Sequence, residues 1–283
     1  MLYEFTHSIN YSYSKPVFFE PHTLRLRPWS NSWQHLLEFH LQVVPQPAGT
    51  ADFTDLDGTS PSLLWFEGLH EALTINTSFK VETQFTNPFD YVLNPDALVL
   101  PMHYGNEFGS VLAPYLAGGD SSPEVKALAD RLGREADWET TAFLWTLTRT
   151  MAETISPIVR LEGEPQPPLV TLNQGQGACR DFTVLFLEVC RLVGLAGRFV
   201  SGYFGGEPEL EERHLHAWAE VYLPDLGWRG YDPMNGVAVA DQHIAVAAAA
   251  TPSLAAPVTG TIRGTGPSST MTTHIRMSVR PSI

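Results

Sequence analysis

The chain has 283 residues, 43% of them hydrophobic, and a formal net charge of −14. That length fits one or two domains with a real core, and the acidic balance excludes a phosphate-binding surface, so nucleic acid is not an expected partner. No run reaches the ~18 consecutive apolar residues of a membrane span, so no membrane partner is expected either.

Residues 1 to about 85 read as strands. Tyr3, Phe5, His7, Ile9 and Tyr11 alternate with smaller or polar residues, and Leu24 and Leu26 alternate with Arg25 and Arg27. Leu37, Phe39, Leu41 and Val43 form one face of the next strand, and Leu73, Ile75, Thr77, Phe79 and Val81 one face of another. Period two with one apolar face predicts a half-exposed antiparallel sheet. Turns bearing Pro and Gly between short strands predict a sandwich. The stretch from Asn87 to Gly119 is aperiodic and holds four prolines, and it reads as a connector packed across both parts. The expected division is an N-terminal β-rich domain over 1–95, a connector over 96–120 and a second unit over 121–283.

Ser122-Pro123 opens a helix, with Ser as N-cap and Pro at the first helical position. A second helix is predicted over Glu139 to about Glu153. The Pro165–Pro168 cluster reads as a surface loop. Then Phe182, Leu185, Phe186, Val189, Leu192 and Val193 recur at helical spacing, and Gly194 and Gly197 end the helix. Strands follow at Arg198–Tyr203, His214–Leu223, Trp228–Asp232 and Met271–Val279. The Ala- and Pro-rich stretch over 245–260 carries little pattern.

Cys179 falls at the first turn of the patterned helix, where unpaired N–H groups and the dipole favour a thiolate. Cys190 sits mid-helix and reads as a buried hydrophobe. Eleven residues of helix put about 16 Å between the two, beyond the ~7 Å Cα limit of a disulfide. Met1–Phe5 has neither the basic nor the apolar region of a secretory leader. A reduced, cytoplasmic protein is therefore expected. His216 lies on a strand and Asp232 ends the next one. A thiol nucleophile needs a base, and the imidazole needs a third group to fix its orientation. His214, on the same face one pleat away, is the rival base, and Asp181 is the rival carboxylate. Asp181 also suits a helix N-terminus. Trp218 and Trp228 read as wall and core. A mixed zinc site of Cys179, His214 and His216 lacks a tight ligand pair, so no metal and no cofactor is expected. Glu207, Glu209, Glu211 and Glu212 lack the ligand spacing of a calcium loop.

Four segments together resemble the bacterial transglutaminase-like cysteine protein superfamily, in its two-domain form with an N-terminal β-domain. They are Gly177-Ala178-Cys179-Arg180-Asp181-Phe182, Gly194 to Tyr203, His216-Ala217-Trp218-Ala219-Glu220-Val221, and Gly227 to Pro233. Tyr11 to Val17 and Leu24 to Pro28 look like the β-domain of that form. The resemblance implies an α+β, papain-like core behind an antiparallel β-sandwich. It implies Cys179 as nucleophile, His216 as base and Asp232 as orienter. The implied activity is acyl transfer or hydrolysis on a peptide or isopeptide amide through a Cys179 thioester. A cysteine protease or amidase is favoured over a protein-glutamine transglutaminase, with a peptide or protein as substrate. The sequence does not give the oligomeric state. Relatives in that family often carry a Gly-Arg-Asp-Tyr-like stretch where this chain continues from His243-Ile244-Ala245-Val246-Ala247 into alanines. That departure keeps open a non-catalytic binding or assembly protein on the same fold.

Overall fold

Alternation in the first 85 residues becomes two antiparallel sheets. The computed structural model describes residues 1–118, 122–206 and 213–281; the Glu207, Glu209, Glu211 and Glu212 run lies outside them. The N-terminal strands are β1 (Leu2–Phe19), β2 (His22–Leu24), β3 (Gln34–Val44), β4 (Gly49–Asp52), β5 (Ser62–Trp65) and β6 (His70–Thr83). β6 lies between β1 and β3, while β2, β5 and β4 form part of a second sheet. Tyr3, Phe5, His7 and Ile9 of β1 and Leu73 to Val81 of β6 turn inward as alternation predicts. Phe19, Leu24, Leu26, Leu64, Phe66 and Ile75 form the apolar layer of this sandwich.

β3 keeps Phe39, Leu41 and Val43 on the predicted face and departs from it at Leu37. The register shifts between Leu36 and Glu38, a β-bulge that turns the strand by one residue. Leu36 then packs on the core, and Leu37, expected inside, is 49% exposed.

Past the N-terminal strands come α1 (Asn106–Leu116), α2 (Pro123–Glu135), α3 (Thr140–Thr154), β7 (Ser156–Pro157), α4 (Pro168–Gln174), β8 (Gln176–Gly177) and α5 (Cys179–Leu192). α1 runs through the stretch expected to be aperiodic. Its last turn contains Pro114, and Leu112 is its one buried large apolar residue among those described, so no apolar stripe announces it. α4 replaces part of the expected proline loop. It starts with Pro168 at the first helical position and ends at Gly175 with φ +59°, a conformation that suits glycine. α2 starts at the expected Pro123, and α3 lies within a residue of its expected bounds. Ser122 occupies the N-cap of α2, and Glu139, expected as the first residue of α3, caps it.

The second sheet system has β9 (Gly197–Phe204), β10 (His216–Leu223), β11 (Gly227–Asp232), β12 (Val237–Ala238) and β13 (His243–Ala249), in the order β12-β11-β10-β9-β13, all antiparallel. α5 packs on β10 and β9, with α2, α3 and α4 around it. Every residue of β13 is buried, although it is the sheet's end strand. The N-terminal region covers that edge. Gln34 mimics a strand there: its Oε1 accepts from Ala245 N at 2.8 Å and its Nε2 donates to Ala245 O at 3.0 Å. Trp29 N also donates to Ala245 O, at 3.0 Å.

The chain then turns back. β14 (Val258–Thr259) pairs with β2, β15 (Ile262–Arg263) pairs with the end of β1, and β16 (Ser269–Arg280) pairs with β1 from Leu2 to Tyr13. Strand pairing therefore does not follow the expected unit over 121–283, since 258–280 completes the N-terminal sheets. The two parts also share a core: Tyr3, Phe5, Phe79 and Val81 cluster with Tyr203 and with the buried face of α5. No described helix is long and apolar enough to cross a membrane.

Candidate active site

The turn before α5 is fixed on both sides. β7 and β8 pair in parallel: Ser156 N donates to Gly175 O at 2.8 Å and Ile158 N to Gly177 O at 2.9 Å. Gly177 is required here, because a Cβ would stand 2.9 Å from Asp181 Cβ. Asp181 is fully buried. It accepts from Ala178 N at 2.8 Å, from Gln166 N at 2.7 Å and from Arg160. The rival carboxylate thus closes the first turn of α5 and ties the 160–166 segment to it. Thr183 Oγ1 donates to Cys179 O at 2.8 Å. Cys179 is half-buried at the start of the helix, and Cys190 is fully buried. Burial pushes the Cys190 thiol far up.

β10 starts at His216, and its imidazole is shared. Nε2 donates to Asp232 Oδ2 at 2.6 Å, and Cys179, whose Sγ lies 4.0 Å from Leu215 O, is close enough to add to the upward shift of the ring. With Nε2 committed to Asp232, Nδ1 is the nitrogen left for the thiol. Cys179, His216 and Asp232 thus lie together at the start of α5 and the ends of β10 and β11. His214 lies ahead of β10, and among the described residues it makes no hydrogen bond to Cys179 or Asp232.

Asp232 is buried and surrounded by donors. Oδ2 receives His216, Asn235 Nδ2 at 2.7 Å and His243 Nε2 at 3.1 Å; Oδ1 receives Met234 N at 3.2 Å and Asn235 N at 3.1 Å. Burial alone would raise its pKa, but the His216 charge and the histidine hydrogen bonds hold it well below the usual carboxylate range. Burial likewise opposes charge on His216, and the Asp232 carboxylate outweighs it and raises the imidazole. His243 is lowered by burial, with the Asp232 contact only partly offsetting it.

Sequence reasoning missed His243 and Asn235. Asn235 sits three residues past Asp232, in the turn whose backbone N–H groups the carboxylate caps, a spacing that an Asx-turn reading would have found. His243 had no local signal, because it opens an alanine-rich strand and meets Asp232 only through the fold. His216, Asp232 and His243 offer ligand atoms within 4.8 Å of one another. Both imidazoles converge on one oxygen, and the 2.6 Å contact is shorter than the roughly 3.3 Å between two ligands of a tetrahedral zinc. It is the distance of a shared proton.

Trp218 forms a wall beside this group. It is 1% exposed and lies across Gly202, where a Cβ would stand 2.5 Å from the ring. Trp228 is half-buried against Tyr115 and Tyr222.

Two family models match the chain. The bacterial transglutaminase-like N-terminal region covers residues 3–82, and the transglutaminase-like superfamily covers residues 126–233. An uncharacterized protein of Mycobacterium leprae is 28% identical over 265 residues, spanning 92% of this chain and 92% of that protein. A protein-glutamine gamma-glutamyltransferase of Pseudomonas aeruginosa is 30% identical over 150 residues, which is 50% of this chain and 20% of that protein. Among solved structures, a candidate cysteine protease of Cytophaga hutchinsonii matches with a TM-score of 0.74 at 18% identity, covering 100% of this chain and 92% of that one. That likeness is one of fold. With its N-terminal region and its core both matched, the chain belongs to the transglutaminase-like superfamily, in the bacterial form that carries an N-terminal β-domain.

Proposed function

We propose that the protein is a thiol-dependent enzyme that opens a peptide or isopeptide amide through a Cys179 thioester, and that water resolves the thioester. The observation that carries this reading is the His216 imidazole held by a 2.6 Å contact to the buried Asp232 carboxylate, with the Cys179 thiol beside it at the start of α5. Asp232 orients the ring and stabilises the imidazolium. The Cys179 sulfur adds to the amide carbonyl carbon, and the Cys179 backbone N–H is one donor to the developing oxyanion. The imidazolium gives its proton to the departing amine nitrogen, the C–N bond breaks, and a thioester remains. His216 then takes a proton from water, the resulting hydroxide adds to the thioester, and the C–S bond breaks to give the acid and the thiol.

Transfer to a primary amine is the second reading, and the resemblance to the Pseudomonas aeruginosa enzyme over 150 residues favours it. Three lysines, Lys15, Lys80 and Lys126, make the chain a poor substrate for its own cross-linking. The test is a panel of electrophilic peptides with mass spectrometry of the labelled residue. It is paired with amide-bearing peptides, with and without a fluorescent primary amine. Cys179 adducts and cleaved or deamidated peptide without amine incorporation support hydrolysis. Amine incorporation that outruns hydrolysis would replace it with transfer. No adduct on Cys179 across the panel would leave the binding or assembly reading.

A further inference from the structure

A cavity of about 410 Å³ lies between the β9–β13 sheet and the 29–34 segment of the N-terminal region. Its size is that of a small-molecule site. Neither Cys179 nor His216 lines it, so it is distinct from the thiol group.

Aromatic faces make the walls. Trp33 stacks on Phe85 with ring centres 5.0 Å apart and planes 11° apart, and Trp228 stands on the side of the sheet. The segment that carries Trp33 is pinned to β13 through Gln34 and Ala245. The cavity is therefore walled by ordered elements on both sides.

Two guanidiniums reach it, and they differ. Arg198 is neutralised, with Nη2 2.7 Å from Glu220 and Nη1 3.5 Å from Asp57. Arg229 has no carboxylate within ion-pair distance among the described residues. Its guanidinium carbon lies 5.0 Å from the Trp33 ring centre, 5.8 Å from that of Phe85 and 5.4 Å from that of Tyr91. Ring faces hold a planar cation in place but do not cancel its charge. Burial lowers the Arg229 pKa, and the Glu220 carboxylate, which also lines the cavity but is ion-paired to Arg198, offsets this only in part.

We propose that this cavity binds a small organic anion, a carboxylate on an apolar or aromatic body, with the carboxylate paired to Arg229 and the body lying against Trp33, Phe85 and Trp228. Guanidinium and carboxylate match in a two-pronged geometry. His243 also lines the cavity and donates to Asp232, so an occupant sits one residue from the candidate active site. The proposal does not rest on the thiol reading.

Isothermal titration calorimetry of the full chain with 3-phenylpropionate, 3-phenylpropanol and phenethylammonium tests it. The carboxylate is expected to bind at least about tenfold more tightly than the alcohol, a difference of ~1.4 kcal/mol, and the ammonium more weakly than either. Arg229→Gln should bring the carboxylate down to the level of the alcohol and leave the alcohol unchanged. Arg229→Lys should keep a preference for the carboxylate, which separates lost charge from a damaged fold. Cys179→Ala should bind like the parent chain even if the thiol proves unreactive. Equal binding of carboxylate and alcohol, tighter binding of the ammonium, an unmoved Arg229→Gln, or no binding up to about 10 mM would each overturn the proposal.

Discussion

Replacing Asp232 by Asn keeps the shape of the side chain and reverses half of its hydrogen bonding. In the parent chain Oδ1 accepts two backbone N–H groups, from Met234 and Asn235, and Oδ2 faces His216, Asn235 Nδ2 and His243. The introduced amide must turn its NH₂ toward one of these donor sets. Keeping the turn intact directs it at His216, which must then present a bare Nε2 and carry its proton on Nδ1. The ring loses a charge-assisted hydrogen bond of about 1.5–3 kcal/mol, equivalent to roughly one to two pK units. Burial, the largest influence on His216, then acts without its main counterweight, with only the smaller Cys179 contribution left to oppose it. The imidazole should titrate well above 6.5 in the parent chain and at least about one to two pK units lower in Asp232→Asn. The assay is ¹³C NMR of histidine-labelled protein, with the His216 resonance assigned by its loss in His216→Gln. The acylation rate should fall on the order of 10⁴-fold, the scale for an orienting carboxylate turned to an amide. A His216 titration that does not move, in a variant whose circular dichroism matches the parent chain, would refute the reasoning.

Other outcomes follow from the same geometry. His216→Ala should abolish thioester formation while His214→Ala leaves it near the parent rate, measured by single-turnover acylation; the opposite ranking would make His214 the base. His7 is buried against Tyr203 Oη and Thr273 Oγ1, both at 2.9 Å, and burial lowers its pKa to about 4. A histidine lowered from 6.5 withholds stability as pH falls from 6.5 toward 4, by up to about 1.4 kcal/mol per pH unit. His7→Gln should therefore flatten the urea midpoint over that window, and an unchanged slope would remove His7 from the account of acid sensitivity. Gly202→Ala puts a Cβ 2.2 Å from Ile244 O, so it should cost at least about 1–3 kcal/mol of stability, read as a lower urea midpoint with unchanged m-value.

The legible parts of the chain were those with local periodicity. The stripe of α5 placed Cys179 at a helix start, and strict alternation put His216 on β10, at the strand end that meets the thiol. Alternation in β1 and β6 likewise gave the inward face of the N-terminal sandwich. What could not be read had no local code. β13 is an alanine-rich strand buried on both faces, so it shows no alternation, and His243 went with it. α4 is shorter than two helical turns and is hidden by its own prolines. β16 was visible as a strand, but its partner β1 lies about 256–278 residues away in sequence, and alternation does not say which sheet a strand joins. The bulge in β3 reversed Leu37 because turn and register, not polarity alone, choose the face.

The nucleophile assignment is tested most directly by iodoacetamide alkylation of the intact parent chain as a function of pH, with each cysteine quantified by peptide mass spectrometry. Cys179, half-buried at a helix start and beside His216, should be alkylated in the folded chain, while Cys190, fully buried in the α5 core with its thiol pushed far up, should stay unmodified until the protein unfolds. Equal reaction of both cysteines, or reaction of Cys179 only once the protein unfolds, would contradict the assignment.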